Sequence, residues 1–393
     1  MSKIGFIGLG KLGLPVALAI ESRGHQVAGY DINPEVANYV ENKYYPFQEI
    51  GIEELLENTK LKVVNSVLQI ARDTDIIFLP VQTPHEARFE GTQRLPEERA
   101  DFDYDFLKAA ITDVVEACKT LKVKRTLVVI STCLPGTFKR ELKPLLNEYV
   151  DYVYSPQFIA MGQVIDDYLN PEFNLIGVES EKAADQLEKF YKTINDAPNV
   201  RTDITTAEGI KVSYNTWITA KTVIANAWGE LSDKLGMNFD DIYKAWSLST
   251  KRLISPRYMK AGMGDGGGCH PRDNIALSHL ASEVGLSHNI FEDLMEARED
   301  FEDYHARQAM EASKKSGLPL VILGRSFKPE TQIETGSPAI LMANLLKEYG
   351  YPFEHVEDLP EYKKAVYFIA TNHERYKDID FPEGSVLIIP FQG

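Results

Sequence analysis

An apolar run, Ile4-Gly5-Phe6-Ile7, leads without a break into Gly8-Leu9-Gly10-Lys11-Leu12-Gly13, and Leu14 to Ser22 continues in helical spacing. Strand, glycine turn and helix in that order leave few folds open. In a G-x-G-x-x-G turn the first glycine permits the bend. The second lets a pyrophosphate approach the backbone, and the third lets helix pack on strand. The helix start offers unpaired N–H groups to phosphate. A second strand, Gln26 to Tyr30, ends in Asp31, eighteen residues beyond Gly13. A carboxylate there accepts both ribose hydroxyls of NAD and repels the 2′-phosphate of NADP. The following Ile32-Asn33-Pro34 brings no arginine to hold that phosphate. Gly8, Gly10, Lys11, Leu12, Gly13 and Asp31 are the candidate NAD-binding residues.

Further strands follow, and they keep ending in polar or Pro/Gly turns. Asp75 to Val81 ends at Gln82-Thr83-Pro84, Thr126 to Ile130 at Ser131-Thr132-Cys133-Leu134-Pro135-Gly136-Thr137, and Tyr152 to Tyr154 at Ser155-Pro156-Gln157-Phe158. In a doubly wound sheet the carboxyl ends of the strands line the ligand crevice, so Thr83, Thr132 and Gln157 become site candidates together. Residues 85–101 are polar and highly charged, as in a long surface loop or lid, and Leu107 to Leu121 reads as a helix. From Thr206 to about Leu235 one long helix is predicted, with Lys211, Asn215 and Asn226 on one face. A second helix covers Phe239 to Ser247, and helices run from Asn274 to about Lys315. Leu320 to Gly324 opens a second α/β unit, followed by Arg325-Ser326-Phe327-Lys328-Pro329 and a helix near Pro338 to Tyr349. Val366 to Ala370 and Val386 to Ile389 read as its remaining strands. The fold class is α/β: an N-terminal Rossmann-type doubly wound parallel sheet over residues 1–200, a central long-helix domain over 201–305, and a shortened C-terminal α/β domain over 306–393.

Between the central helices and the second α/β unit lies Gly264-Asp265-Gly266-Gly267-Gly268-Cys269-His270-Pro271-Arg272-Asp273. Four glycines in five residues suit a loop whose backbone comes very close to something. The cysteine that closes it can be a buried apolar residue or a nucleophile, and a thiol is a nucleophile only as thiolate. A net charge of -16 argues against nucleic acid or an anionic membrane as main partner. Three widely spaced cysteines, Cys118, Cys133 and Cys269, suit a reducing compartment, and no C-x-x-C pair suggests zinc, so no metal is expected. No apolar run approaches the ~20 residues of a membrane span, and the start of the chain has no signal-peptide layout. The expectation is a cytoplasmic protein.

At this point the residues resemble the UDP-glucose/GDP-mannose dehydrogenase family, over nearly the whole chain and in family order. Gly8 to Pro15 looks like its G-x-G-x-x-G-L-P, Thr83-Pro84 like its T-P turn, and Ser131 to Thr137 like S-T-x-x-P-G-T. Lys211, Asn215 and Asn226 sit at the spacing of its central-helix K-x-x-x-N and later Asn. Gly266 to Asp273 resembles G-G-x-C-x-P-K-D, and Phe327-Lys328-Pro329 with Ser337-Pro338-Ala339 resembles F-K-P…S-P-A. The resemblance implies NAD-dependent oxidation of a nucleotide sugar, by default UDP-glucose, at C6. Cys269 would attack the aldehyde as thiolate, a thioester would form, and water would release the uronic acid. Lys211 would stabilise the oxyanion with Asn215 as second donor, Asp273 would orient the lysine or assist proton transfer, and Thr132 would position water. Gly266, Gly267 and Phe158 fall in substrate motifs, Lys328 and Lys260 would meet the diphosphate or sugar, and Arg252 could reach the sugar across a homodimer interface. Polysaccharide biosynthesis is the implied setting.

Three departures from the family pattern bear on that mechanism. The family's N-P-E-F-x-x-E-G reads here Ser155-Pro156-Gln157-Phe158-Ile159-Ala160-Met161-Gly162, so both glutamates are gone. The first is the one assigned to proton transfer in thioester hydrolysis, and a carboxamide can bond a water but cannot take its proton. His270, beside the cysteine, is a candidate substitute base. The family's T-D-D-x-R-E reads Thr331 to Gly336 without the arginine, and one helix and strand are missing between Glu354–Asp358 and Val366. A two-electron dehydrogenase, a thioester-accumulating variant and a non-catalytic NAD or nucleotide-sugar binder remain as alternatives.

Overall fold

Gly13 opens the helix Gly13–Ser22, and a Cβ there would lie 2.1 Å from the carbonyl oxygen of Gly8 and 2.9 Å from Pro80 Cγ. Only glycine lets that helix start so close to the strand it follows. The computed structural model describes residues 2–264, 267 and 269–390, and these divide into two units, 1–219 and 220–393. The division falls within the long helix Ile204–Leu235.

The first unit is an eight-stranded sheet. Its strands are β1 (Lys3–Ile7), β2 (Gln26–Tyr30), β3 (Lys62–Val63), β4 (Ile76–Leu79), β5 (Arg125–Val129), β6 (Val150–Tyr154), β7 (Asn174–Val178) and β8 (Asn199–Thr202). The order is β3-β2-β1-β4-β5-β6-β7-β8, parallel except where β7 runs against β6. The order reverses between β1 and β4, which opens a crevice at their carboxyl ends. Strands β1 and β4 are buried at almost every residue, as apolar strands covered on both faces must be. The helices Gly13–Ser22 and Glu181–Tyr191 cover one face and Asp105–Leu121 covers the other. The long helix begins at Ile204, two residues before the position its pattern suggests, because Asp203 accepts the Thr206 N–H at 3.1 Å and so caps it. One turn in, fully buried Glu208 accepts the N–H groups of Gly136 and Phe138 at 2.6 and 2.7 Å. That carboxylate ties the helix to the turn that follows β5.

The second unit contains the rest of that helix, the helices Phe239–Leu248, His270–Glu283, Ile290–Ser316 and Pro338–Glu348, and a four-stranded parallel sheet. Its strands are β9 (Leu320–Leu323), β10 (Phe353–Val356), β11 (Val366–Ile369) and β12 (Val386–Ile388), in the order β10-β9-β11-β12. Helices cover one face, with Ala306, Ala309, Met342 and Leu346 against Ile322 and Phe368. The other face, Val321, Leu323, Tyr367 and Ile369, is covered by Tyr376 and by loop residues Leu359, Tyr362 and Phe381. The rings of Tyr362, Tyr367 and Phe381 pack on one another in tilted and edge-on contacts with centroids 4.7–5.8 Å apart. Among the described residues no helix is long and apolar enough to cross a membrane.

Several elements differ from expectation. Strands β3, β7 and β8 and the helices at 35–41, 52–58, 67–73, 164–169 and 181–191 are additions to the expected set. Strand β10 corrects the expected three-strand second sheet. It is an edge strand of alternating Phe-Glu-His-Val, half exposed, so its apolar signal is weak. The helix expected from Asn274 begins at His270, because Pro271 in its first turn needs no N–H partner. Loop 85–101 is irregular apart from the helical turn Ala87–Phe89.

Glu208→Ala leaves the buried Phe138 N–H and the half-buried Gly136 N–H unpaired. Unpaired buried groups cost about 1–3 kcal/mol each, so the first unit should lose about 2–4 kcal/mol in denaturant unfolding. A loss under about 0.5 kcal/mol, within the range of ordinary surface substitutions, would mean water replaces the carboxylate.

Candidate active site

The turn after β1 is shaped for a phosphate. Gly8 stands at φ +104°, and a Cβ on Gly10 would meet nothing within 4 Å, so the backbone there faces open space. Leu12 is the residue before the helix and Lys11 lies over the Phe47 ring at 4.8 Å. Asp31 is aimed at the same turn. One of its oxygens accepts the Leu9 N–H at 2.6 Å and the other the Asn33 N–H at 2.8 Å. These residues fit a dinucleotide: an open glycine backbone, a helix start and a fixed carboxylate beyond the second strand.

Thr83 and Thr132 are brought together. The Thr83 hydroxyl donates to the Thr132 carbonyl at 2.9 Å, and Ser131 Oγ bonds the Val81 carbonyl. The polar ends of β4 and β5 are thus clipped side by side. Tyr154 OH accepts the Cys133 N–H and Tyr104 OH accepts the Leu134 N–H, each at 3.2 Å. These tyrosines, like Glu208, hold the turn. Sequence reasoning misses them, since a tyrosine in a buried strand or at a helix start reads as core.

The long helix brings Lys211 to the loop after β6. Lys211 Nζ donates to the Gln157 carbonyl at 2.8 Å and lies 5.1 Å from the centre of the Phe158 ring. Burial holds its amine below the ordinary lysine value of 10.5. The Gln157 side chain turns away, donating to the Ser155 carbonyl at 3.0 Å and to Tyr191 OH at 3.4 Å. Lys211, Asn215, Tyr214 and Phe158 line a cavity of about 390 Å³ whose far wall includes Asp167, Glu172 and Phe173. Tyr214 OH donates to Glu172 at 3.2 Å.

In the second unit Cys269 is exposed, whereas Cys118 and Cys133 are buried and all three are free thiols. Burial pushes the Cys118 thiol up to about 11 and the Cys133 thiol further still, so neither is a nucleophile at neutral pH. Cys269 immediately precedes the helix His270–Glu283. Asp273 N–H donates to the Cys269 carbonyl at 3.0 Å, and the Asp273 carboxylate pairs with Arg272 at 3.0 Å rather than standing alone. Gly267 lines a cavity of about 200 Å³ with Met263, Gly264, Phe327, Lys328, Pro338 and Thr371. This cavity lies at the carboxyl ends of β9 and β11, where the second sheet's order reverses. Lys328 is exposed at its edge and the helix Pro338–Glu348 begins there. Arg252 and Lys260 are exposed in the segment before it. Gly266 lies outside the described residues. Among the described residues no cluster of three or more His, Cys, Asp or Glu could hold a metal.

Comparison with known proteins places these features in context. A family model described as "UDP-glucose/GDP-mannose dehydrogenase family, NAD binding domain" matches residues 2–195, and that family's central-domain model matches 205–299. GDP-mannose 6-dehydrogenase from Pseudomonas savastanoi pv. phaseolicola is 28% identical over 375 residues, 92% of this chain and 82% of that protein. The solved ternary complex of GDP-mannose dehydrogenase from Pseudomonas aeruginosa aligns with a TM-score of 0.86 at 25% identity, covering 98% of this chain and 95% of that one. A UDP-glucose dehydrogenase structure from Pyrobaculum islandicum aligns with a TM-score of 0.58 at 25% identity, covering 100% and 94%.

Lys211 gives a stability test with a defined sign. Its folded-state pKa is lowered, so between that value and 10.5 the unfolded chain binds more protons and stability rises with pH. At neutral pH the fold bears the full burial penalty of the charge. Lys211→Met removes it, so Tm at pH 7 should hold or rise, and the advantage over the parent should shrink toward pH 10.5. A fall of several degrees at pH 7 would mean the bond to the Gln157 carbonyl outweighs burial.

Proposed function

The chain belongs to the UDP-glucose/GDP-mannose dehydrogenase family, and on that premise we propose that it oxidises GDP-mannose at C6 to the uronic acid through a covalent intermediate on Cys269. It is an NAD-dependent nucleotide-sugar dehydrogenase. The default expectation of UDP-glucose yields here to GDP-mannose. The relative and the better-aligned solved structure described above both carry the GDP-mannose name.

NAD, when bound, accepts the hydrides of both oxidations. Gly8, Gly10, Lys11, Leu12 and Gly13 would hold its pyrophosphate and Asp31 its ribose, with Thr83 and Thr132 at the crevice. The chain's own groups do the rest. Cys269 attacks the aldehyde as thiolate, which keeps the half-oxidised sugar attached, and only a thiolate is both a strong nucleophile and a good leaving group at neutral pH. Lys211 and Asn215 donate to the developing oxyanion. Thr132 positions water, and Asp273, paired with Arg272, steadies the start of the cysteine's helix. Lys328, Gly267 and the N-terminus of the helix Pro338–Glu348 suit the diphosphate, while Phe158, Lys260, Arg252 and Gly266 complete the sugar site.

The observation that carries this reading is the contrast among the cysteines: the two outside the glycine loop are buried, and the one inside it is exposed at a helix start. Two NADH released per uronic acid from GDP-mannose, with turnover abolished in Cys269→Ser, is the expected result. Two NADH per acid from UDP-glucose alone would overturn the substrate. One NADH per turnover would favour the two-electron reading that Gln157 motivates.

A homodimer belongs to the same proposal. Leu248, Leu253 and Ile254 are 73%, 62% and 52% exposed and Tyr243 and Met259 are exposed as well, and exposed apolar residues gathered in one stretch of chain suit an interface. Light scattering should give a dimer, and Leu248→Asp with Leu253→Asp should give monomers with native circular dichroism. A monomeric parent protein would remove the idea.

A further inference from the structure

We infer that His270 is the general base of thioester hydrolysis in this chain, in place of the carboxylate that position 157 lacks. The inference rests on the proposed covalent reaction and deepens it. Hydrolysis needs a group that can take a proton from water beside the thioester. Gln157 cannot take one, and its amide is already committed to the Ser155 carbonyl and Tyr191 OH. Met161, where the second glutamate would stand, has no base either.

His270 follows the nucleophile directly, and the structure places its ring. The imidazole does not extend away along the helix. It folds back over Gly267, so that a Cβ on that residue would lie 3.4 Å from Nε2 and 3.7 Å from Cδ2 and Cε1. These are van der Waals distances, so the ring packs directly on Gly267. Tyr258, held at φ +63°, sets its own ring at 62° to the imidazole with centroids 6.5 Å apart. The His270 carbonyl accepts the Asn274 side-chain N–H at 2.9 Å, and the His270 N–H donates to the Gly267 carbonyl at 3.2 Å. The ring thus lies against Gly267, which borders the Lys328 cavity, on the residue that follows Cys269. It is exposed to solvent, the source of the water.

The step balances without a co-reactant. Water oxygen bonds to the thioester carbonyl carbon while the imidazole takes one water proton. The tetrahedral adduct collapses, the C–S bond breaks with its electron pair going to sulfur, and the acid leaves. Cys269 is regenerated as thiolate, and the imidazolium returns its proton to bulk water. Nothing is oxidised or reduced in this step.

The test is rapid-quench NADH release with intact mass on His270→Ala and His270→Gln, using GDP-mannose. Loss of a general base costs about 10²–10⁴-fold. The expected result is a burst of two NADH per active site, a steady-state rate down at least about 10²-fold, and a covalent sugar-nucleotide adduct on Cys269 by mass. Adding Gln157→Glu to His270→Ala should restore turnover by roughly tenfold or more and discharge the adduct, which a merely structural defect would not allow. His270→Gln keeps a polar side chain of similar reach, so a folding failure of the alanine variant alone leaves the test intact. Turnover within twofold of the parent and no adduct would overturn the inference while leaving the covalent reading in place. Loss of the burst itself would also overturn it, since the defect would then precede the thioester. No adduct in any variant together with turnover by Cys269→Ser would overturn both.

Discussion

A buried carboxylate holds the first unit in working order. Glu208 has no exposed surface, and burial raises its pKa although the Gly136 and Phe138 N–H groups pull the other way. A charge in that position is costly unless hydrogen bonds satisfy it, and here both oxygens are engaged. The bonds join the long helix to the turn after β5. They fix which way the helix leaves the sheet and where its next turn, with Lys211, meets the loop after β6. The Lys211–Gln157 bond, the approach of the Lys211 amine to the Phe158 ring and the cavity lined by Asn215 follow from that docking.

The nearly continuous apolar strands β1, β4, β5, β9 and β11 were legible in the chain, because a strand buried on both faces reads as a short unbroken apolar run bounded by turn residues. The glycine turn and Asp31 were legible for a different reason: few residues tolerate that backbone, and the spacing is set by the length of strand and helix. What was not legible shares one cause. Strands β3, β8 and β10 are short or half exposed, and β7, Asn174-Leu-Ile-Gly-Val, follows the six-residue helix Val164–Leu169, too short to show a period. Glu208 reads in sequence as one more charge on a polar helix face, because only the fold shows that this face meets two free N–H groups.

The site residues divide in the same way. Thr83 with Thr132, and Lys211 with the backbone of Gln157, are joined by direct hydrogen bonds, as the carboxyl-end rule for doubly wound sheets leads one to expect. The Gln157 side chain is a different matter. Its residue type announces a lost base, but its orientation toward Ser155 and Tyr191 is a property of packing. A glutamate placed there would meet a hydroxyl that can donate and a carbonyl that cannot.

The second sheet is clothed unevenly. Two helices cover one face, and loop segments that pack Tyr362 and Phe381 on the strand residue Tyr367 cover the other. A helix brings its own hydrogen-bond ladder and comes away only as a unit, whereas loops held by ring contacts can loosen contact by contact. Amide protons on the loop-covered side should therefore exchange through small local openings of low free energy, ahead of the cooperative unfolding that frees those of the helices. Residues 357–365 connect β10 to β11 without a helix and supply part of that loop cover.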